Sequence, residues 1–480
     1  MGEEIPQSRF SPEDFSRFEA KLRAETELLC SYFARGDFAQ DAESVGFELE
    51  FALIDDAGRP VPRNQELLAK IEDPHLVAEL SRFNLEMNSD PHALRGKVLS
   101  IMERELRRRF SFAEAAAEAQ GYRLLMIGTL PSLVESELHL GNMSPLRRYR
   151  ALNERLLELR QGRPFRIEIQ GRERLSTEHR DVMLEAAATS LQVHLQVDHR
   201  RARRFFNASL IASGPLVAIS ANSPFLFGKD LWEETRIPLF EQATGWGGES
   251  GQRQGTRSRV SFGHGYLVDS LAECFEENLR DFAVLLPALE GTDEAELAHL
   301  RLHNGTIWRW NRPLVVPDPK RGPHLRIEHR AMAAGPTPID VIGNVAAYLG
   351  LVHYLEALAK APEDSLPFEA SKSNFYRAAK RGLDAQLQWT DGREYRAIDL
   401  WRSELLPASL EALRALGLEE ADLGHYLEEA VGRRLQEGRN GASWQRDWIA
   451  AHGRDFAGLA RAYAERQSRN VAVADWKIEC

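Results

Sequence analysis

Apolar and polar residues alternate strictly through VGFELEFALID, with Val45, Phe47, Leu49, Phe51 and Leu53 on one side and Gly46, Glu48, Glu50 and Ala52 on the other. That period of two predicts a strand with one face in a core and two carboxylates on the opposite face. The pattern recurs three times. FNLEMNSD sets Leu85 and Met87 against Asn84, Glu86 and Asn88. TSLQVHLQVD sets Leu191, Val193, Leu195 and Val197 against Gln192, His194, Gln196 and Asp198, and HLRIEHR sets Leu325 and Ile327 against Arg326, Glu328 and Arg330.

Between these segments the period changes to that of amphipathic helices. Ser11-Pro12-Glu13-Asp14 is an N-cap signature that opens a covering helix to about Arg35, and further helices are predicted at Asp90 to Ala119, Ser144 to Arg160, Asp269 to Leu289 and Thr337 to Lys360. The longest apolar run, Ala208 to Phe227, is broken by Ser213, Gly214, Pro215, Asn222, Ser223 and Pro224. It therefore reads as a buried helix followed by a turn rather than a membrane span. After about Ser371 strand signals nearly vanish, and SNFYRAAKRGLDA, LLPASLEALRALG and YLEEAVGRRLQEG read as helices ending near glycine. The class is α+β, with residues 1–370 as a catalytic domain and 371–480 as a helical C-terminal region packing on it or extending it.

Composition narrows the function. The 480 residues are 43% apolar and 28% charged, as in an ordinary globular chain, and a net charge of -11 supplies no domain-wide basic field for nucleic acid. Cys30, Cys274 and Cys480 are far apart and form no CxxC, which excludes a disulfide framework or thiolate zinc site and fits a reducing cytoplasm. MGEEIPQSRF is acidic and lacks a following apolar stretch, so no secretory signal is read there. No membrane partner is expected, and a homo-oligomer is left open.

The open faces then carry the chemistry. Residues two apart on a strand lie about 6.6 Å apart at Cα, so Glu48 and Glu50 can converge on one ion or bracket two, with small Gly46 and Ala52 leaving room beside them. Gathered in one cleft, Glu48, Glu50, Glu86 and Glu328 would repel one another, because each like charge raises the others' pKa. Divalent cations resolve that conflict. With His194 the donor set is oxygen plus one imidazole, which suits magnesium or manganese better than zinc or copper, and magnesium so held usually accompanies a phosphate. Guanidinium forks bind phosphate or carboxylate, and Arg326 and Arg330 are the best placed to do so. RQGTRSRVSF adds Arg253, Arg257 and Arg259 after glycine-rich GWGGESGQ, as a flap over phosphates or a surface loop; TIWRWNRP is a ligand wall or a pair of buried Trp anchors. No GxxxxGK and no GxGxxG after a strand is present, so neither common nucleotide-binding motif applies.

VGFELEF, the Gly128 to Tyr149 stretch (GTLPSL…MSPLRRY), MLEAAATSLQVHLQVD, ANSPFLFG and LRIEHRAMAAGPTPID, in that order, resemble the glutamate-cysteine ligases of the plant and proteobacterial branch and the bacterial carboxylate-amine ligases. The resemblance covers about Val45 to Asp340. It implies a glutamine-synthetase-like fold, a curved antiparallel sheet forming a funnel flanked by helices, with ATP at one end and amino-acid substrates at the other. It implies metal ligation by Glu48, Glu50, Glu86, His194 and Glu328, and phosphate binding by Arg330. Arg330, Arg326 and Arg259 are the candidates for stabilising the reacting group, and Arg330, Arg257 and Arg253 for holding ATP. The chemistry implied is phosphoryl transfer from ATP to a carboxylate, then amine attack on the acyl phosphate. Glu328-His329-Arg330 is followed by AMAAGP where true glutamate-cysteine ligases continue with acidic residues, so the amine is not fixed. The alternatives are a ligase of this fold for another acid and amine, a guanidino phosphotransferase, and a non-catalytic nucleotide or metal binder.

Overall fold

The computed structural model describes residues 4–5, 7–245, 257–288, 293–318 and 320–478. Its first helix, Pro12–Arg35, begins where the capping box requires: the Asp14 amide donates to Ser11 Oγ at 3.3 Å and the Ser11 amide donates to Asp14 Oδ2 at 2.8 Å. It ends at Gly36, whose φ of 71° suits a residue without Cβ.

Among the described residues eight strands form one antiparallel sheet. They are β1 (Ser44–Asp55), β2 (Leu76–Ala78), β3 (Asn84–Asn88), β4 (His92–Ala93), β5 (Tyr122–Leu125), β8 (Ser190–Val197), β11 (Asn311–Val316) and β12 (His324–Ala333). Among the described residues three hairpins stand outside it: β6 (Phe165–Gln170) with β7 (Arg174–His179), β9 (Phe225–Leu226) with β10 (Lys229–Asp230), and one in the C-terminal region. The main order is β11-β12-β8-β1-β3-β2, with β4 and β5 also pairing with β1. The sheet curls into a half-barrel.

Register follows from the alternation. Val45, Phe47, Leu49, Phe51 and Leu53 are all buried in the core with Leu195 and Ile327, each such side chain contributing about 1.5–3 kcal/mol. Slipping β1 by one residue would turn Glu48 and Glu50 into that core, so the hydrophobic face fixes where the carboxylates point. At one rim β11 is the edge. Its Pro313 carbonyl accepts from Asn304 Nδ2 at 2.9 Å.

Helix Ala202–Ser220 packs behind β12 and against helix Pro338–Ala357. Most of the long apolar run lies in the first of these, which is buried along nearly all its length and ends before the Asn222 turn. No helix of the described residues is long and apolar enough to cross a membrane. The C-terminal helices brace this layer: Phe368–Arg381 packs on Ala202–Ser220, and Leu406–Ala415 on Pro338–Ala357. At Gly335, φ is +82° and an added Cβ would lie 2.1 Å from the Met126 carbonyl oxygen, so the chain leaving β12 passes where only glycine fits.

Some element boundaries differ from those the sequence predicts. The helix expected from Asp90 starts at Val98, because Asp90–Gly96 is spent on β4 and a turn containing Pro91 and a positive-φ Gly96. The helix expected over Asp269 to Leu289 spans only Ala272–Asp281. The helical C-terminal region also carries a small hairpin, Gln386–Gln388 with Glu394–Arg396.

Candidate functional site

The register brings the open-face residues into rows. Arg312 lies opposite Glu328, Glu328 opposite His194, and His194 opposite Gly46; one step along, Gln192 faces Glu48, and one step further Glu50 faces Glu86. His194 Nε2 lies 3.2 Å from Glu48 Oε1 and 3.6 Å from Glu328 Oε1. One ligand atom from each of these three residues falls within 4.8 Å of the others.

Arginines lock the trio from one side. Arg312 grips Glu328 with both arms of its fork, Nε to Oε2 at 2.6 Å and Nη2 to Oε1 at 2.9 Å, and Arg330 Nη1 lies 3.4 Å from Glu328 Oε2. Arg330 also donates to Gln192 Oε1. Burial alone would raise the pKa of Glu328, but Arg312, Arg330 and His194 outweigh it and bring it down to about 2. Glu48 is likewise held low: burial opposes ionisation, while positive neighbours including His194 and Arg330 favour it.

The second pair behaves in the opposite way. Glu50 accepts from the Ser190 amide at 2.7 Å, Ser190 Oγ at 3.0 Å and Gln192 Nε2 at 3.3 Å. Burial, then the charge of Glu79, nevertheless pushes it up to about 7. Glu86 is fully buried, accepts from Asn88 Nδ2 at 3.0 Å, and is driven well above the carboxylate range by burial and by Glu48 and Glu79. Like charges directly opposite on neighbouring strands destabilise one another unless a proton or cation intervenes.

The donor set accommodates a divalent ion. Neither nitrogen of His194 makes a well-formed hydrogen bond among the described residues, and two ionised carboxylates flank the ring. Each carboxylate has about four lone-pair sites, so Glu328 can serve Arg312 and an ion together. Two oxygen donors and one imidazole suit magnesium or manganese. Glu50 and Glu86 lie beside this trio rather than within it, so the structure brings three of the five predicted ligands to one point.

A cavity of about 480 Å³ opens over these groups, lined by Glu48, Glu50, His194, Arg326, Glu328 and Arg330 among others. A smaller one of about 110 Å³ shares Glu48, His194 and Arg326 as its wall. Arg326 thus lines both cavities, and Trp308 and Trp310 line the large one, while Trp310 Nε1 also donates to Glu241 at 2.9 Å. The arginines after the glycine-rich stretch fall elsewhere. Arg259 is buried and spends its guanidinium on the Thr306 carbonyl at 3.0 Å, Thr306 Oγ1 at 3.2 Å and the Ala283 carbonyl, which makes it a brace between loops. Arg257 pairs with Glu277 at 2.8 Å and Asp281 at 3.1 Å on helix Ala272–Asp281. Arg253 lies outside the described residues.

Glu277 is the hub of that second cluster, meeting His264 at 2.8 Å and Arg309 at 3.2 Å as well as Arg257. Burial works against its charge, but His264, Arg309 and Arg257 together lower it to about 2. A depressed carboxylate stabilises the fold above its unfolded pKa and loses that contribution as pH falls toward its folded one. Glu277→Gln should therefore lower stability by on the order of 2–3 kcal/mol at neutral pH. In urea titrations the gap from the parent protein should narrow steadily between pH 5 and pH 3; a constant gap would contradict this account.

Sequence periodicity did not reveal Arg312, Glu79 and Glu185, all of which line the large cavity. Arg312 could have been found from its place in the arginine- and tryptophan-rich TIWRWNRP. Glu79 follows β2, and Glu185 lies on the single turn Met183–Ala187, where no alternation marks a face.

A curled antiparallel sheet with carboxylates and arginines on its inner face defines the class: this is the glutamine-synthetase-like fold of ligases. A glutamate-cysteine ligase of Francisella tularensis, solved in complex with AMP, superposes with a TM-score of 0.53 at 12% identity, over 92% of this chain and 91% of that one. A bifunctional glutathione synthetase of Pasteurella multocida gives a TM-score of 0.52 at 14% identity, over 95% of this chain but 55% of that one. In sequence, residues 44–467 match glutamate-cysteine ligase family 2, and the chain belongs to that family. A Rubrobacter xylanophilus protein whose name provisionally ascribes to it glutamate–cysteine ligase activity is 28% identical over 422 residues, 85% of this chain and 93% of its own length.

Proposed function

We propose that this protein is an ATP-dependent carboxylate–amine ligase that joins the side-chain carboxylate of glutamate, or of a close relative, to an amine. The observation that carries the reading is the convergence of Glu48, His194 and Glu328 within 4.8 Å on the wall of the large cavity, with Arg312 and Arg330 behind them. Family membership and the AMP complex of the Francisella ligase support it.

In this reading the terminal phosphoryl group of ATP passes to the acid's carboxylate oxygen, giving ADP and an acyl phosphate. The amine nitrogen then attacks the acyl carbon, the C–O bond to phosphate breaks, and a proton leaves the nitrogen as the amide forms. A magnesium or manganese ion bound by Glu48, His194 and Glu328 would neutralise charge on the phosphoryl oxygens. Arg330, oriented by Gln192 and Glu328, presents its guanidinium to the charge that develops as the group transfers. Arg326 offers a second cation where the two cavities meet. Trp308, Trp310 and Phe240 supply apolar wall, which limits water and protects the acyl phosphate from hydrolysis.

The test is phosphate release from ATP and magnesium, with glutamate fixed and the amine varied, then with other amino acids as the acid. Release should require both acid and amine, in equal amounts with product. ADP formed without free phosphate, or no turnover with any pair, would refute the reading.

A further inference from the structure

The large cavity carries a carboxylate that the reaction outlined above leaves unused. Glu185 sits on the Met183–Ala187 turn that leads into β8, and its flanking residues Met183, Leu184, Ala186 and Ala187 are all buried. Those apolar anchors fix the turn and leave Glu185 as its polar member on the cavity wall. Its carboxylate has no hydrogen bond or ion pair among the described residues. Its charged neighbours are chiefly carboxylates, Glu79 and Glu50, with Arg330 as the opposing charge. Leaving a carboxylate so placed, half-buried and beside like charges, is costly without a cationic partner. Among the described residues Arg330 acts on it only without an ion pair, and the cavity is where a ligand would supply a cation in contact.

We propose that Glu185, with Glu79 beside it, receives the ammonium group of the amino-acid substrate that donates the carboxylate. The assignment rests on the ligase reading and adds a specificity-determining residue to it. A nitrogen held as ammonium between carboxylates has no lone pair with which to attack, so this position suits the amino group that does not react. The acid's own amino group is that nitrogen, whereas the acceptor amine must be neutral when it meets the acyl phosphate. Glu50 and Arg330, next to the ion-binding trio, are both electrostatic neighbours of Glu185. Glu185 and the trio line the same cavity, so in this proposal one amino acid presents its carboxylate to the trio and its ammonium to Glu185.

The experiment compares acids that differ only in the ammonium group: glutamate against glutarate, and aspartate against succinate, in the full-length protein with ATP, magnesium and the amine panel. The parent protein should favour the amino acid of its preferred pair by at least roughly 100-fold in kcat/KM, since a site built around a polar group rejects the analogue lacking it. Glu185→Gln should reduce that preference to under about 10-fold, mainly by raising KM for the amino acid, and leave the diacid within about threefold. Equal losses for both acids would assign Glu185 a structural role and overturn the proposal. Thermal shifts with the same acids, in magnesium and a non-hydrolysable ATP analogue, separate this idea from the ligase reading. Stabilisation by the amino acid in the parent but not in Glu185→Gln, with the diacid equal in both, upholds the ammonium site even without product. Equal shifts by amino acid and diacid in the parent, or no shift by either amino acid, reject it.

Discussion

Glu48→Gln is expected to abolish most turnover, lowering kcat by about 10²–10³-fold, the range seen when a charge-stabilising group is removed from a reaction centre. Glutamine has nearly the shape of glutamate, so the packing on β1 survives. What disappears is one of the two anions that flank His194. A site with one anion fewer holds a divalent cation more weakly, and the magnesium concentration for half-maximal activity should rise at least about tenfold. The measurement is phosphate release across a magnesium and manganese titration, beside a melting curve showing a folded variant. An unchanged metal dependence with normal kcat would remove the trio from the mechanism.

Asp340→Ala is expected to be the most destabilising single change outside the site. Asp340 is fully buried in the first turn of helix Pro338–Ala357, accepting from Thr337 Oγ1 at 2.6 Å, from Arg434 Nη2 at 2.9 Å and from the Val473 amide at 3.0 Å. It thus ties the helix behind the sheet to two separate points of the C-terminal region. Removing it leaves the buried Arg434 guanidinium with neutral acceptors only, the Ile219 carbonyl at 3.0 Å and Asn344 Oδ1 at 2.6 Å, and truncating one partner of a buried pair costs about 3–5 kcal/mol. Chemical denaturation should show that loss as a lower midpoint. Asp340→Ala with Arg434→Met should recover much of it, because no charge is then left unpaired. A loss below about 1 kcal/mol in the single variant would show that the neutral acceptors Ile219 and Asn344 suffice for Arg434.

Alternation was enough to locate Glu48, Glu50, Glu86, His194 and Glu328 on one face, because a core on the other side of each strand leaves no freedom in where they point. The register between strands was not in the pattern. Only pairing reveals that Glu328 meets His194 while Glu86 meets Glu50, and so divides five expected ligands into a trio and a neighbouring pair. Arg312 went unread because β11 contains Pro313 and does not alternate. Arg257 and Arg259 misled for the opposite reason. Three arginines after a glycine-rich run announce cationic density, but the sequence does not disclose that helix Ala272–Asp281 returns Glu277 and Asp281 to Arg257, or that Thr306 and Ala283 turn their carbonyls to Arg259. The fold class was legible for the same reason as the carboxylate face: both depend on period, and period survives in one dimension.

Pro313 has one more effect. A residue's amide nitrogen and carbonyl point to the same side of a strand. Since the Pro313 carbonyl turns outward to Asn304, the position where its N–H would be also faces outward, along the unpaired margin of β11. A foreign strand approaching that margin would find one donor missing and one acceptor already taken. The opposite margin, β2, is only three residues long. Both ends of the sheet are therefore poor templates for edge-to-edge aggregation, a hazard that long, flat, unguarded strands would otherwise invite at the concentrations of a working cell.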